Sequence, residues 1–311
     1  MLSFFRAGLL GMNKRNADYL LPNNPRQFYP LVDDKLKTKK VLESHGLPVP
    51  PTYDEILYDY QSRLFREKKY MKEFVVKPSR GAEGRGILVI ADRKTDRFQK
   101  ASGEWISEDD LEYHVTNILA GLYSLGGIDD VAFIEYLVRS HAAFKHVTFR
   151  GVPDIRIIVF RGVPVMSMLR LPTRMSDGKA NLHQGAVGVG VSMGDGITYG
   201  GVWRNRLASK HPDTGQPVAG VIIPFWHTIL EYAAKLYDIF PLGYLGVDFV
   251  IDTLLGPLIL ELNARPGLSI QLANRTGLLS RLQAVEKKGP GIGKQPVSDR
   301  LAVTREICVP S

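Results

Sequence analysis

The chain has 311 residues, of which 44% are hydrophobic and 23% charged. This is the composition of a soluble globular protein with one large domain or two to three small ones. No apolar run is long enough to span a membrane, and the single cysteine, Cys308, excludes an internal disulfide. The absence of a signal peptide adds to the expectation of a cytoplasmic protein. The net charge of +8 suits an anionic ligand, and its dispersal along the chain favours a phosphorylated small molecule over nucleic acid.

The first quarter of the chain begins with polar segments. Residues 1–11 predict a helix docked on the core, and residues 13–32 predict irregular structure because they are rich in Asn, Pro and Arg. Asp34 stands at the N-cap position of a helix that runs to about Ser44. Residues 54–72 carry apolar residues among charged ones and predict an amphipathic helix.

A glycine-rich loop between two strands follows. Residues 74–78 and 87–91 predict short strands, and the first of them carries Lys77 near its end. The loop 79–86 holds several glycines and two arginines, and glycines let backbone N–H groups approach an anion closely. No Gly-Lys-Ser/Thr is present and no helix follows, which excludes the Walker and dinucleotide patterns. A phosphate-binding loop is therefore favoured over an ordinary turn.

Two further elements complete the first half. Residues 92–107 predict a polar excursion. The capping-box pattern Ser107–Asp110 predicts the start of a helix that ends near Leu122. Residues 131–138 form an apolar run that predicts a strand. Glu135, near the end of this strand, is a candidate to lie beside a nucleotide base.

Residues 154–170 predict a hairpin that turns at Arg161–Gly162. Asp154 and Arg156 share one strand face with Ile158. An arginine on a buried strand usually serves a ligand or an ion pair, because an unpaired buried charge is costly.

The segments after this hairpin have weaker signals. Residues 172–202 contain two short β patterns, 203–220 predict an exposed loop, and 224–236 predict a helix. Residues 268–286 predict a helical region. Residues 287–311 predict a loop or linker with a loosely ordered end.

Residues 244–251 and 257–262 predict a second hairpin. A loop over 253–256 pairs Asp252 with Pro257 and sets Asp248 directly opposite Glu261, whereas an odd loop length breaks this register. Asn263 shares the face of Glu261, since it lies two residues further along the strand.

Two carboxylates placed opposite each other repel, and a hard cation between them makes the net electrostatic interaction attractive. Oxygen ligands from Asp, Glu and Asn suit magnesium. The alternative is an ordinary hairpin with solvated acids. The following Asn263 and Arg265 favour the metal site.

Six motifs in order resemble the ATP-grasp superfamily. They are Asp34–Lys35, Val76–Pro78, the loop Gly81–Gly86, Phe133–Tyr136, Asp154 with Arg156, and Asp248 with Glu261 and Asn263. The chain is most similar to the α-L-glutamate-ligase-like branch, related to ribosomal-S6-modification ligases and to sugar-transfer-associated ATP-grasp proteins. The resemblance covers residues 13 to about 280.

The resemblance implies an α+β chain with the ATP-grasp fold, in which two α/β subdomains clasp ATP behind a reduced N-terminal pre-domain. Many relatives carry about a hundred residues there, the size of a small domain, whereas 33 residues precede Asp34 here. The implied organisation is an N-terminal segment 1–33, a helical lead-in 34–72, a lid subdomain 73–138, a metal-bearing subdomain 139–286 and a tail 287–311.

The resemblance also implies roles for individual residues. Arg156, Arg265 and Lys77 would be catalytic, and Asp248, Glu261 and Asn263 would bind magnesium. The nucleotide would be bound by Lys35, Lys77, Ser79, Arg80, Gly81, Gly84, Gly86, Glu135, Tyr136, Leu137, Val138 and Leu260. After the hinge, where relatives place a ribose-binding carboxylate, this chain has Arg139–His141.

The implied reaction is an ATP-dependent carboxylate–amine ligation through an acyl phosphate, with glutamate or another amino acid as substrate. Its cofactors would be ATP and one or two Mg²⁺ ions, with Mn²⁺ as a substitute. Small-molecule or peptide substrates and a protein supplying the acceptor are the implied partners, without nucleic acid. A phosphotransferase on the same fold and a non-catalytic nucleotide-binding protein are the alternatives.

Overall fold

A computed structural model of the protein describes residues 8–67, 71–81, 84–124 and 126–308. The chain forms two compact units. The small unit contains Asp34–Lys40 and Val49–Val138, and the large unit contains the remainder. The expectation about residues 1–11 falls mostly outside the described part of the chain.

The small unit is built on a six-stranded antiparallel sheet with the order β1-β6-β2-β3-β4-β5. Its strands are β1 Thr52–Ile56, β2 Phe74–Pro78, β3 Leu88–Lys94, β4 Arg97–Lys100, β5 Trp105–Ser107 and β6 Ala132–Glu135. One face of the sheet packs on the helix Glu108–Leu119, through Leu111, Val115 and Ile118. The predicted capping box of Ser107 with Asp110 starts this helix.

The large unit is built on a seven-stranded antiparallel sheet with the order β11-β10-β9-β8-β7-β12-β13. Its strands are β7 Asp154–Phe160, β8 Val163–Leu171, β9 Val187–Val191, β10 Thr198–Trp203, β11 Arg206–Ala208, β12 Tyr244–Asp252 and β13 Gly256–Asn263. The predicted turn at Arg161–Gly162 joins β7 to β8, and both of its residues have a positive φ. Such φ values match the turns that two-residue hairpin loops require.

Helices flank both sheets. They are α1 Met12–Lys14, α2 Leu21–Asn23, α3 Pro30–Asp33, α4 Lys35–Ser44, α5 Leu64–Glu67, α6 Glu108–Leu119, α7 Trp226–Ile239, α8 Ile270–Asn274, α9 Leu279–Lys287 and α10 Val297–Cys308. A π-helical turn, Arg15–Leu20, links α1 to α2. Among the described residues, no helix is long and apolar enough to cross a membrane.

The α+β class is confirmed, but several local predictions are wrong. Residues 13–32 are largely helical, because Tyr19 and Leu20 pack into the core of the large unit. The expected helix over 54–72 begins instead with β1, followed by a 3₁₀ turn and α5. The polar excursion 92–107 carries β5, an edge strand of its sheet, and β4, the strand next to it.

The C-terminal segment was expected to be a loop or linker with a loosely ordered end, but Val297–Cys308 form helix α10. Its Arg300 is 1% exposed, and its guanidinium donates to Ala234 O at 3.0 Å and pairs with Asp238 at 2.6 Å. Burial also raises the pKa of Cys308, at the end of α10, to about 11. This thiol is therefore protonated at neutral pH.

Candidate nucleotide and acyl-transfer site

A row of charged residues crosses three neighbouring strands of the large unit. Arg156 on β7 pairs with Asp248 on β12, and Asp248 pairs with Glu261 on β13. Directly paired residues in an antiparallel sheet point to the same face. The predicted opposition of Asp248 and Glu261 is therefore confirmed, and an arginine extends the row.

The register arises differently from the expectation. Asp252 pairs with Gly256 and not with Pro257, so the loop has the odd length that was expected to break the register. One extra residue on β13, Leu260, lies between the partners of Asp248 and Phe249 and restores it as a β-bulge.

Asp252 explains the short loop. Its Oδ1 accepts hydrogen bonds from Leu254 N at 2.7 Å and Leu255 N at 2.9 Å. Gly256 takes the left-handed conformation that three-residue hairpin loops favour. The other carboxylate oxygen accepts from Arg139 N at 2.7 Å, so Asp252 also fixes the start of the large unit's main segment.

Asp248 is buried and surrounded by donors. Arg156 donates to both carboxylate oxygens, at 2.6 and 2.5 Å. Arg170 Nη2 lies 2.8 Å from Oδ2, and Asn263 Nδ2 lies 3.4 Å from the same atom. Burial opposes ionisation, but the two guanidinium groups outweigh it and lower the pKa of Asp248 to about 2. Asp248 is therefore a carboxylate at neutral pH.

A second carboxylate completes a buried quartet of charges. Asp154 on β7 pairs with Arg170 on β8, and their side chains form two hydrogen bonds. Arg170 thus bridges Asp154 and Asp248. Burial raises the pKa of Asp154 to about 7, against the opposing effect of Arg170. The quartet fixes two guanidinium groups at the polar end of an otherwise apolar sheet face.

The proposed magnesium ligands fit a metal only in part. A carboxylate offers about four lone-pair sites. Three donors converge on Oδ2 of Asp248, which leaves no site there for a metal, whereas Oδ1 accepts from Arg156 Nε alone among the contacts given above. Asn263 directs its Nδ2 toward Asp248, which leaves its Oδ1 for another partner. Among the described residues, no group of three His, Cys, Asp or Glu side chains could hold a metal ion. Glu261 and Asn263 remain the better candidates, and a metal-binding role for Asp248 stays a prediction.

Arg265 lies outside the quartet on an exposed loop after β13. Its guanidinium stacks 5.2 Å from the centre of the Tyr29 ring. The neighbouring Pro266 is buried, and its carbonyl accepts a hydrogen bond from Arg15 Nη1 at 2.6 Å. The N-terminal helical segment therefore supports the loop that presents Arg265.

In the small unit, Asp34 and Lys35 hold the base of the glycine-rich loop. Ser79 Oγ donates to Asp34 at 2.6 Å, and Lys35 N donates to Ser79 O at 2.9 Å. Lys35 Nζ donates to Gly81 O. Burial opposes ionisation of Asp34, but its hydrogen bonds to Ser79 and Lys37 N leave its pKa below the usual range.

Arg80 is anchored through its backbone. Its N–H donates to both carboxylate oxygens of the buried Asp130, at 3.0 Å each, while its exposed guanidinium lies 3.6 Å from Asp34. The far end of the loop is held by helix α6. His114 Nε2 lies 2.9 Å from Gly86 O, and burial lowers the pKa of this histidine, so its ring is neutral at pH 7.

Glu135 ends β6 with its carboxylate bonded to two lysines. Lys77 and Lys39 each contact one of its oxygens. This carboxylate is 3% exposed, and the ammonium groups of the two lysines contact it directly. The following residues 136–138 leave the sheet and are half-buried, and Tyr136 N donates to Pro51 O at 2.9 Å.

A family model described as sugar-transfer associated ATP-grasp matches residues 14–287. The chain belongs to this family. The predicted ATP-grasp fold is thereby confirmed for nearly the whole chain.

Solved structures of other ATP-grasp proteins resemble this family member at low identity. An ATP-grasp ligase, PsnB, solved with a minimal precursor, is 14% identical with a TM-score of 0.47, over 86% of this chain and 64% of its own. The D-cycloserine synthetase DcsG is 17% identical with a TM-score of 0.47, over 85% and 72%. The D-alanine–D-alanine ligase from Bacillus anthracis is 16% identical with a TM-score of 0.42, over 89% and 67%. The chain thus spans less than two thirds of PsnB. No curated protein matches the sequence.

Sequence reasoning missed three charged residues of this ATP-grasp chain. Asp154 was noted without a role, Arg170 was assigned only to a strand, and Lys39 was assigned only to a helix. Lys39 was hidden because its partner Glu135 lies on a distant segment. Asp154 and Arg170 lie on the two strands of one predicted hairpin, but they pair only through a bulge that the sequence did not indicate. An arginine and an aspartate inside apolar strand patterns were the available signal, since charges on buried strands need partners.

Gly84 and Gly86 offer a matched test of the loop. Both have a left-handed φ, of +74° and +73°. A Cβ at Gly86 would lie 2.6 Å from the Tyr123 ring, whereas a Cβ at Gly84 would meet no atom of the described residues within 4 Å. Gly84→Ala should cost about 1 kcal/mol of stability through φ alone. Gly86→Ala should cost a further ~1–3 kcal/mol through the clash. Urea unfolding of both variants checks this, and equal losses would contradict the packing described here.

Proposed function

We propose that this chain is an ATP-dependent carboxylate–amine ligase that forms an amide bond through an acyl phosphate. The observation that carries the proposal is the pair of guanidinium groups, Arg156 and Arg170, held by buried carboxylates on one sheet face. Fixed cations of this kind stabilise negative charge that develops during phosphoryl transfer. Membership of the ATP-grasp family supports the same reading.

In this proposal the small unit binds the nucleotide. Lys35, Lys77 and the glycine-rich loop 79–86 bind the phosphates, since glycine backbone and ammonium groups suit anions. The half-buried residues 136–138 contact the base. Glu261 and Asn263 offer oxygen atoms to Mg²⁺, or to Mn²⁺ in its place, and a bound ion would offset phosphate charge.

The reaction has two displacement steps. An oxygen of the substrate carboxylate attacks the γ-phosphorus of ATP, the bond to the β-phosphate oxygen breaks, and ADP leaves. The amine nitrogen then attacks the acyl carbon, phosphate departs with the bonding electrons, and the amine loses a proton. Arg156 and Arg170 favour the first step because they attract the charge that gathers on the transferred group. Arg265, on its exposed loop, would bind the carboxylate or the phosphoryl group.

The substrates are proposed by class. Glutamate or another amino acid supplies the carboxylate, and a small amine or a peptide accepts it, with a protein partner as a further source of the acceptor. Amino sugars belong among the amines to be tested, because the family is described as sugar-transfer associated. A cytoplasmic location is proposed, since one cysteine in 311 residues suits a reducing compartment.

Hydroxylamine trapping tests the proposal. The protein is incubated with Mg-ATP, a pool of amino acids and other carboxylates, and hydroxylamine, and the products are identified by mass spectrometry. A ligase should yield ADP and a hydroxamate, because hydroxylamine attacks an acyl phosphate. Reactions without protein and with Lys77→Met serve as controls. A phosphorylated product without hydroxamate would identify a phosphotransferase instead. If none of the carboxylates led to ADP formation, the result would contradict catalysis.

A further inference from the structure

Lys39 is a buried lysine that no motif predicted. It lies on helix α4, and its side chain is 6% exposed. Its Nζ donates to Pro50 O at 2.6 Å and to Glu135 Oε2 at 2.6 Å, and it lies 5.3 Å from the centre of the Phe133 ring. Lysine is almost never buried to this degree without partners.

The partner carboxylate is shared with Lys77. Lys77 on β2 pairs with Phe133 on β6, so Lys77 and Glu135 lie on the same face of the sheet. Lys77 contacts Oε1 of Glu135 while Lys39 contacts Oε2. One carboxylate therefore holds two ammonium groups, one on each oxygen.

The three charges sum to one excess positive charge. Desolvated charges interact more strongly than charges in water, so this excess should attract an anion. Lys77 is 12% exposed, twice as much as Lys39. The excess positive charge is therefore more accessible to a ligand at Lys77, beside the glycine-rich loop, than at Lys39. Without Lys39, the carboxylate of Glu135 would neutralise the ammonium group of Lys77, and no excess positive charge would remain.

We propose that Lys39 is a positioning residue that neutralises Glu135, so that the charge of Lys77 remains available to nucleotide phosphates. This inference rests on the proposed function, because it takes ATP as the ligand. Lys39 acts through Glu135 and Lys77 and does not itself touch the ligand. If Lys39 had a purely structural role, its substitution would instead weaken the binding of all ligands equally through a loss of fold.

Calorimetric binding of ADP and of adenosine to the whole chain separates these roles. Lys39→Met should weaken ADP binding about 10-fold or more, because one of the charges facing the phosphates is cancelled. Adenosine, which lacks phosphates, should bind with little change. The matched control is Lys40→Met, since Lys40 is the next residue and its side chain is 62% exposed in a surface pair with Glu55. It should leave both affinities unchanged.

A double variant keeps the inference testable if Lys39→Met loses stability. Lys39→Met with Glu135→Gln removes both members of the pair and restores the single positive charge of Lys77, so ADP affinity should recover most of the loss. Equal weakening of ADP and adenosine, or no recovery in the double variant, would overturn the role of Lys39. Failure of the unmodified protein to bind ADP would contradict the proposed function itself, and the inference with it.

Discussion

Replacing Asp248 by asparagine should lower the free energy of unfolding by about 3–5 kcal/mol, the cost of breaking a buried ion pair. The substitution keeps the shape, but it removes the charge that offsets Arg156 and Arg170 and turns one acceptor into an NH₂ group. Both arginines are largely buried, with side chains 14% and 10% exposed. Chemical unfolding followed by circular dichroism measures the loss.

The same experiment in EDTA separates two roles of Asp248. If Asp248 serves mainly as a metal ligand, its removal without metal should be neutral or stabilising, because repulsion by Glu261 disappears. If it holds the arginines, the loss should persist in EDTA, and we expect this result. Asp299→Asn is the control, since Asp299 is exposed in the first turn of α10 and should cost no more than about 1 kcal/mol.

The effect should also depend on pH with a defined sign. The pKa of Asp248 is about 2 in the folded chain, against roughly 3.9 in an unfolded one. A depressed pKa gives stability that is present above the unfolded value and is lost as pH falls toward the folded value. The difference between wild type and Asp248→Asn should therefore shrink as pH is lowered from about 5 to about 3. A constant difference would contradict the charge-based explanation.

Replacing Lys77 by methionine should reduce kcat/KM for ATP on the order of 10²-fold or more, as expected for loss of a group that stabilises transition-state charge. The fold should survive, because Glu135 keeps its contact with Lys39 and methionine preserves much of the apolar stem. ADP release with the carboxylate that gives a hydroxamate measures the effect.

Lys94→Met provides the comparison for Lys77. Lys94 belongs to the same sheet, but it is exposed and its ammonium lies 5.2 Å from the centre of the Trp105 ring. This variant should retain full activity. If Lys77→Met also retained it, the assignment of Lys77 to the phosphates would be wrong, whichever substrate the enzyme uses.

The long central strands could be predicted because their side chains alternate between two faces, or are apolar throughout. Strands β4 and β5 could not, since strands near a sheet edge expose polar side chains and carry a weak pattern. The helices before Asp34 and after Glu286 owe their order to packing, which propensity does not reveal. In α10, for example, the buried Arg300 resembles a surface residue in the sequence.

The site could be predicted as a set of residue types but not as a set of contacts. Spacing along one chain segment predicted that Glu261 lies opposite Asp248. It could not predict that β7 is the other neighbour of β12, and so it missed that Arg156 and Arg170 surround Asp248 with positive charge. Lys39 was missed for the same reason, because its partner Glu135 is 96 residues away.

The bulge at Leu260 has a consequence for recognising distant relatives. Three loop residues with a bulge give the same opposition of Asp248 and Glu261 as four loop residues without one. Evolution can therefore exchange one arrangement for the other without moving either carboxylate. The same number of residues separates the aspartate from the glutamate in both arrangements, so a search that fixes this number would find both, whereas a search that fixes the loop length would miss one of them.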